Sequence, residues 1–186
     1  MLSKLFSNTG TLTRFILKRE RISSTLWIIG ILAISLAVAM TLPNIFESDI
    51  ERQMMAETMK SPAMVAMLGP SYGADDYTNG AMMSNMMLLF TAIAVIIMNI
   101  FLVVRHTRRD EEEGRLELAR SLPVGKLSNL SATMIVAVIV NMVLALLVGF
   151  GLYSLNIESM DLQGSLLYGI ALRNMWNSIC CHYSFI

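Results

Sequence analysis

Histidine and cysteine, the usual candidates for catalysis and metal binding, are few in this 186-residue chain. His106 stands alone beside Arg105, while Cys180, Cys181 and His182 are adjacent in the sequence. Neighbouring cysteines rarely form a relaxed disulfide, and a zinc site at these positions would lack a second pair of ligands elsewhere in the chain. The sequence therefore predicts no catalytic residue and no metal site.

One stretch, "VGKLS" at 124–128, superficially resembles a phosphate-binding loop. Its Gly-Lys pair is followed by Leu127 instead of Ser or Thr, and Arg120 stands where the upstream glycine belongs. The chain also has no H-E-x-x-H, G-x-S-x-G or C-x-x-C motif. We therefore expect that the chain binds no cofactor by itself and is not an enzyme.

The densest charge lies at 105–126, "RHTRRDEEEGRLELARSLPVGK", with six basic and five acidic residues between two apolar runs. Thr107 is predicted to cap a helix whose first turn holds the acids at 110–113, where the helix dipole favours negative charge. Pro123 then disfavours helix in the residue before it, so this helix should stop near Ser121. The alternative is a solvated loop whose charges keep it out of lipid.

Composition and hydropathy indicate a membrane protein. The chain is 55% hydrophobic and 15% charged, whereas soluble domains carry about 25% charged residues. Three apolar runs without ionisable residues, 24–42, 86–104 and 132–150, approach the roughly 20 residues that a membrane-spanning helix needs. Only helices and closed barrels satisfy their backbone in lipid, so the predicted fold is all-α, a polytopic integral membrane helical bundle. The formal net charge of zero gives no sign of nucleic-acid binding.

The positions of Lys and Arg predict the orientation. Residues 1–23 hold five of them and 105–131 hold six, against two in 43–85 and one after residue 150. The positive-inside rule therefore places the N-terminus and the 105–131 loop in the cytoplasm, with the protein in the plasma membrane. The segments 43–85 and 151–163 become external loops.

Two flanking segments carry further local signals. The leader 1–23 mixes apolar and basic residues, which favours an interfacial amphipathic helix that bends near Ser23 and Ser24 into the first span; a solvated basic tail is the alternative. In the external loop, a helix is predicted from Ser48 to Lys60, with Ser48 as its cap. The rest of that loop is expected to turn at Pro62, Gly69, Pro70 and Gly73.

The final segment, 164–186, opens like a fourth span and then meets Arg173, which is costly at the middle of a span. We interpret it as a truncated or frameshifted fourth span whose native frame is lost near Leu172. A short amphipathic terminus is the alternative.

Together with "SPAMVAMLGP" at 61–70, the charged stretch closely resembles permease subunits of ABC exporters. The group is that of polyketide-antibiotic and multidrug exporters related to tetronasin-resistance permeases, and the resemblance covers nearly all of residues 10–172. It implies that the 105–131 loop forms a short cytosolic coupling helix docked on a separate ATPase subunit dimer, which binds ATP and Mg. Family members have roughly a dozen spans in two similar halves, so this chain would be an incomplete N-terminal part.

The resemblance also implies which residues contact the ATPase: Arg109, Asp110, Glu111, Glu112, Glu113, Gly114, Arg115, Glu117, Leu118, Ser121, Leu122, Pro123, Val124 and Gly125. Inside the spans, Asn99 and Asn141 are candidates for a transport path or for helix packing. The predicted function is efflux of a hydrophobic compound such as an antibiotic, with membrane lipid as a further partner. The alternatives are a non-transporting module, such as an immunity or sensor subunit, and a nonfunctional truncated product.

Overall fold

The structure of the chain is a computed structural model that describes residues 9–46, 48–71, 73, 77–112, 128–157 and 162–183. Every regular element in these ranges is an α-helix: α1 (Thr9–Ile45), α2 (Asp49–Met59), α3 (Pro62–Leu68), α4 (Asn79–Glu112), α5 (Ser128–Ser154) and α6 (Leu162–Tyr183). Within the described residues, three helices are long and apolar enough to cross a membrane: α1, α4 over Asn79–Arg105, and α5 over Ser131–Ser154. The predicted all-α membrane bundle is confirmed.

Four long helices pack as a ring. Helix α5 packs against α1 and α6, while α4 packs against the other sides of the same two helices and also reaches α5 across the ring. The interior is largely apolar, with Val95 and Met98 of α4 buried together with Val136, Leu144 and Val148 of α5. The outward-facing side chains are also apolar, and several are more than half exposed: Ile22, Leu26, Phe90 and Phe101. Apolar side chains on both the inner and the outer face suit helices surrounded by lipid.

Helix α1 is 37 residues long and contains residues 9–23 of the predicted leader together with the first predicted span. Its helical hydrogen bonding passes through Ser23 and Ser24 without interruption. Residues 9–23 and the first predicted span therefore form one continuous helix, which places the Glu20 side chain against α4.

Helix α4 differs from the prediction at Thr107. It runs for 34 residues from Asn79 to Glu112, so the second predicted span and the beginning of the charged stretch share one helix. Thr107 therefore lies inside a helix and does not cap a new one, and that prediction is wrong. The preceding apolar turn is already helical, whereas an N-cap residue must have non-helical backbone angles.

Helix α2 begins as its sequence predicts. The Ser48 hydroxyl accepts a hydrogen bond from the Glu51 amide at 3.2 Å, and the Glu51 carboxylate accepts one from the Ser48 amide at 3.4 Å. This reciprocal capping box satisfies two amides that the helix leaves unpaired. The predicted cap is confirmed.

The segment after α2 is only partly a series of turns. Pro62 was expected to break the chain, but it starts α3, because a proline in the first helical turn loses no hydrogen bond. Gly69 and Gly73 have φ angles of 91° and 72°. These left-handed conformations suit glycine, so the turns predicted at the two glycines are present.

Replacing Ser48 with alanine should weaken the start of α2. We expect a loss of about 1 kcal/mol, seen as roughly fivefold faster amide exchange in this helix. Ser61→Ala is the matched control, since Ser61 is the N-cap of α3 but makes no side-chain capping hydrogen bond. Equal acceleration by both substitutions in hydrogen–deuterium exchange would contradict the importance of the capping box.

Helix α6 continues past Arg173 and ends at Tyr183, with 22 residues in all. Its first half packs against α5 and α4, and Tyr168 and Leu172 are buried there. Residues 164–183 of the segment predicted as a truncated fourth span are therefore helical, and the part up to Leu172 forms one side of the ring.

Candidate functional site

An ion pair connects the leader portion of α1 to the end of the second predicted span in α4. Arg105 Nε lies 3.3 Å from Glu20 Oε1. The Glu20 side chain is 3% exposed and the Arg105 side chain is 43% exposed. A carboxylate held this far from solvent requires a nearby positive charge. The pair therefore joins the first residue of the charged stretch to α1.

Sequence reasoning missed Glu20, although a signal was present. It is the only acidic residue before Glu47, and it stands between Arg19 and Arg21. A single carboxylate in a basic segment is a candidate for an ion pair. The partner, 85 positions further along the chain, depends on how α1 packs on α4.

A cleft with a volume of about 410 Å³ opens beside this ion pair, between α1 and α4. The polar part of its wall consists of Glu20, Ser23 and Ser24 of α1 and Arg105 of α4. The apolar part includes Trp27 and Phe101, whose rings stack with centroids 6.1 Å apart and an interplanar angle of 28°. The cleft thus combines one buried carboxylate with an aromatic surface.

Asn99 and Asn141, the two polar residues singled out inside the spans, face each other across the ring. Asn99 Nδ2 donates to Asn141 Oδ1 at 3.1 Å, and Asn141 Nδ2 donates to Asn99 Oδ1 at 2.6 Å. Each amide donates its other proton at 2.8 Å within its own helix, to the carbonyl of Val95 or Ala137. Both residues are 1% exposed, and their reciprocal hydrogen bonds join α4 to α5.

A second buried contact joins α4 to α6. Thr91 Oγ1 and Tyr168 Oη lie 2.8 Å apart, and Thr91 Oγ1 also donates to the Met87 carbonyl at 2.6 Å. Since a hydroxyl has one proton, Tyr168 is the donor to Thr91. Together with the amide pair, this hydrogen bond ties α4 to both of the helices that follow it.

The residues predicted to contact an ATPase lie at and beyond the end of α4. Arg109, Asp110, Glu111 and Glu112 form its last turn, in continuous helix with the second predicted span. The remaining predicted contacts, from Glu113 to Gly125, fall on 113–127, which lies outside the described residues. The structure therefore positions the beginning of the predicted docking segment on the helix that also carries Asn99 and Arg105.

The opposite end of the bundle holds a second cavity, of about 490 Å³. Arg52 of α2 lines it and donates to Asn79 Oδ1 at 3.4 Å. Nearby on the chain, burial raises the pKa of the Tyr77 hydroxyl, and the hydrogen bond from Asn85 lowers it to a smaller extent.

Within the part of the chain that the structure describes, no three His, Cys, Asp or Glu side chains are grouped as metal ligands would be.

Comparison with known proteins gives two matches. Residues 11–175 match the family model described as the multidrug efflux system permease Rv1217c, C-terminal domain. The chain is also 31% identical over 170 residues to the multidrug efflux system permease protein Rv1217c of Mycobacterium tuberculosis. The aligned region covers 90% of this chain and 30% of that relative, so the chain spans less than a third of the relative's length. Since the matching family model describes a C-terminal domain, it does not support the narrower prediction of an N-terminal part.

Proposed function

The chain belongs to the family of the C-terminal domain of the multidrug efflux permease Rv1217c, and on that premise we propose that it is part of the membrane-spanning subunit of an ATP-driven exporter. The family match over residues 11–175 is the observation that carries the proposal. The three apolar helices suit a transport subunit in the membrane. We further propose that the exported compound is a hydrophobic antibiotic or drug, as in the narrower tetronasin-resistance group.

The proposed orientation rests on the charge distribution, and the proposed partners rest on the family resemblance. The N-terminus and the 105–131 loop face the cytoplasm, where a dimer of ATPase subunits docks on the charged stretch of this multi-pass plasma-membrane protein. That dimer binds ATP and Mg and performs the hydrolysis, while this chain performs no catalysis. Lipid contacts the apolar outer faces of the helices.

The continuity of α4 supports a mechanical coupling between the ATPase and the spans. Closure of the ATPase dimer on ATP displaces the docking loop, and because Arg109–Glu112 belong to α4, the displacement reaches the span directly. The Asn99–Asn141 pair and the Thr91–Tyr168 contact then pass it to α5 and α6. Access alternates between the two sides as packed helices shift as units. The loop must contact the two ATPase states differently for ATP to drive the change.

The double substitution Glu113→Lys with Arg115→Glu tests the docking role. Introduced at the native locus, it should lower efflux of a hydrophobic drug roughly tenfold while membrane insertion and ATP hydrolysis continue, because the coupling contacts are reversed in charge. The measurements are drug efflux from whole cells, the amount of protein in the membrane, and ATPase activity of purified membranes.

A matched control reverses charge on the predicted external side. Glu57→Lys with Lys60→Glu also leaves the net charge unchanged, and both residues are exposed on or beside α2. Efflux in this control should stay at the wild-type level. Wild-type efflux in the Glu113/Arg115 variant, at equal protein amounts, would refute the docking role.

A further inference from the structure

We propose that the cleft between α1 and α4 binds amphipathic organic cations, with the Glu20 carboxylate as the counter-ion that the ligand takes over from Arg105. The proposal rests on the proposed function only for the consequence that the bound cation is exported. Binding itself depends on residues that the structure describes, and it requires neither ATP nor a partner subunit.

The size and lining of the cleft fit a small organic molecule. Its volume of about 410 Å³ lies within the roughly 300–1,000 Å³ of small-molecule sites. Met98 and Leu102 add apolar surface to that of Trp27 and Phe101. Such sites are mostly apolar and contain a few polar groups that orient the ligand. Here those groups are Glu20, the hydroxyls of Ser23 and Ser24, and the Arg105 guanidinium that the ligand would displace.

The exposures of the two charged side chains decide the sign of the ligand's charge. Glu20 is 3% exposed and is held in place by the packing of α1 on α4, so its charge cannot move to solvent. Arg105 is 43% exposed and touches the carboxylate through Nε at 3.3 Å. A long arginine side chain can turn outward and keep its charge in water. Of these two charges, the negative one is fixed and the positive one can move, so a cation can replace Arg105 whereas an anion would face Glu20.

The aromatic surface favours the same class of ligand. The faces of Trp and Phe rings attract cations electrostatically, and the stacked rings of Trp27 and Phe101 border the same cleft as Glu20. An organic cation with aromatic substituents matches both the charged and the aromatic parts of the cleft, whereas a simple metal ion would leave the apolar wall unused.

The test uses the full 186-residue chain in lipid nanodiscs and tetraphenylphosphonium as the probe, measured by equilibrium dialysis against empty nanodiscs. We expect Glu20→Gln to weaken binding at least about tenfold, because a buried counter-ion is lost. Arg105→Gln should strengthen binding severalfold, because it removes the competitor for the same carboxylate. The anion tetraphenylborate, which has nearly the same shape, should show no loss of binding with Glu20→Gln.

Two further variants control for misfolding and for the general loss of a carboxylate. Glu20→Gln with Arg105→Gln removes both charges and leaves neither unpaired, so it should fold even if Glu20→Gln does not, and should bind the cation weakly. Glu57→Gln, which removes an exposed carboxylate on α2, should bind as the wild type does.

The opposite results would overturn the proposal. These are absence of saturable binding to the wild-type chain, or weaker binding after Arg105→Gln, which would make the ion pair purely structural. Because dialysis involves no ATPase, a negative result here leaves the docking role of the charged stretch standing. Conversely, unchanged efflux in the Glu113/Arg115 variant would leave the binding site standing.

Discussion

Replacing Gly169 with leucine should separate α6 from α5 and destabilise the bundle by several kcal/mol. Even a Cβ at this position would lie 2.3 Å from the carbonyl oxygen of Ala145, a backbone atom that cannot turn aside. Small residues at such crossings let two membrane helices approach closely. Overpacking typically costs about 1–3 kcal/mol in a well-packed core, and a leucine side chain at a backbone contact should reach or exceed the upper value.

The measurement is the free energy of unfolding of the chain in mixed detergent–SDS micelles, followed by circular dichroism. Gly30 of α1 supplies the matched control, since nothing lies within 4 Å of a Cβ built there. Alanine in place of glycine favours a helix by up to about 1 kcal/mol, so Gly30→Ala should be neutral or stabilising while Gly169→Ala destabilises. If the two alanine variants shift stability in the same direction, the close approach of α5 and α6 is not a determinant of the fold.

Composition alone was sufficient to predict the helical architecture. A run such as 132–150 contains no charge, and a single segment can pair all of its own backbone groups in lipid only as a helix. Its helical state can therefore be predicted without knowing which segments pack against it. The Ser48 cap was equally local, because the serine and Glu51 are three residues apart and cap each other reciprocally. Local patterns of this kind predict the structure correctly because the interacting residues lie within one helical turn of each other.

Predictions that depended on context were less reliable. Thr107 has a side chain that can cap a helix, but the residues before it already belong to the helix of the second predicted span. Pro62 has the chemistry of a breaker, yet at the first position of α3 it is compatible with a helix. In both cases the residue type allowed two outcomes, and the state of the neighbouring turn decided between them.

The contacts of the candidate site depend on distances that a sequence does not contain. Asn99 and Asn141 were singled out as polar residues in apolar spans, but their reciprocal pairing depends on how α4 and α5 are placed against each other. The Glu20–Arg105 contact likewise depends on α1 being one helix through Ser23 and Ser24. Polar residues in spans can thus be found from sequence, whereas their partners require the packed structure.

Replacing either Asn99 or Asn141 with leucine should destabilise the bundle more than replacing both. A single substitution leaves the other amide with one proton and one oxygen buried and unpaired, at a cost of about 1–3 kcal/mol. The double substitution puts two apolar side chains of similar size in the same space, so it should recover most of that loss. Interhelical hydrogen bonds in membrane proteins average only about 0.6 kcal/mol, and the penalty of the unpaired amide therefore dominates the comparison.

The same variants separate the two roles that the sequence left open for these asparagines. If the amides only fasten α4 to α5, the double leucine variant should keep both its stability and its drug efflux near wild type. If instead they line a transport path, its stability should recover while efflux stays low, because an apolar surface has replaced the polar one. A double-mutant cycle of unfolding free energies in detergent, with efflux measured in parallel, distinguishes these outcomes. The buried reciprocal geometry, with every amide proton donated, leads us to expect the first.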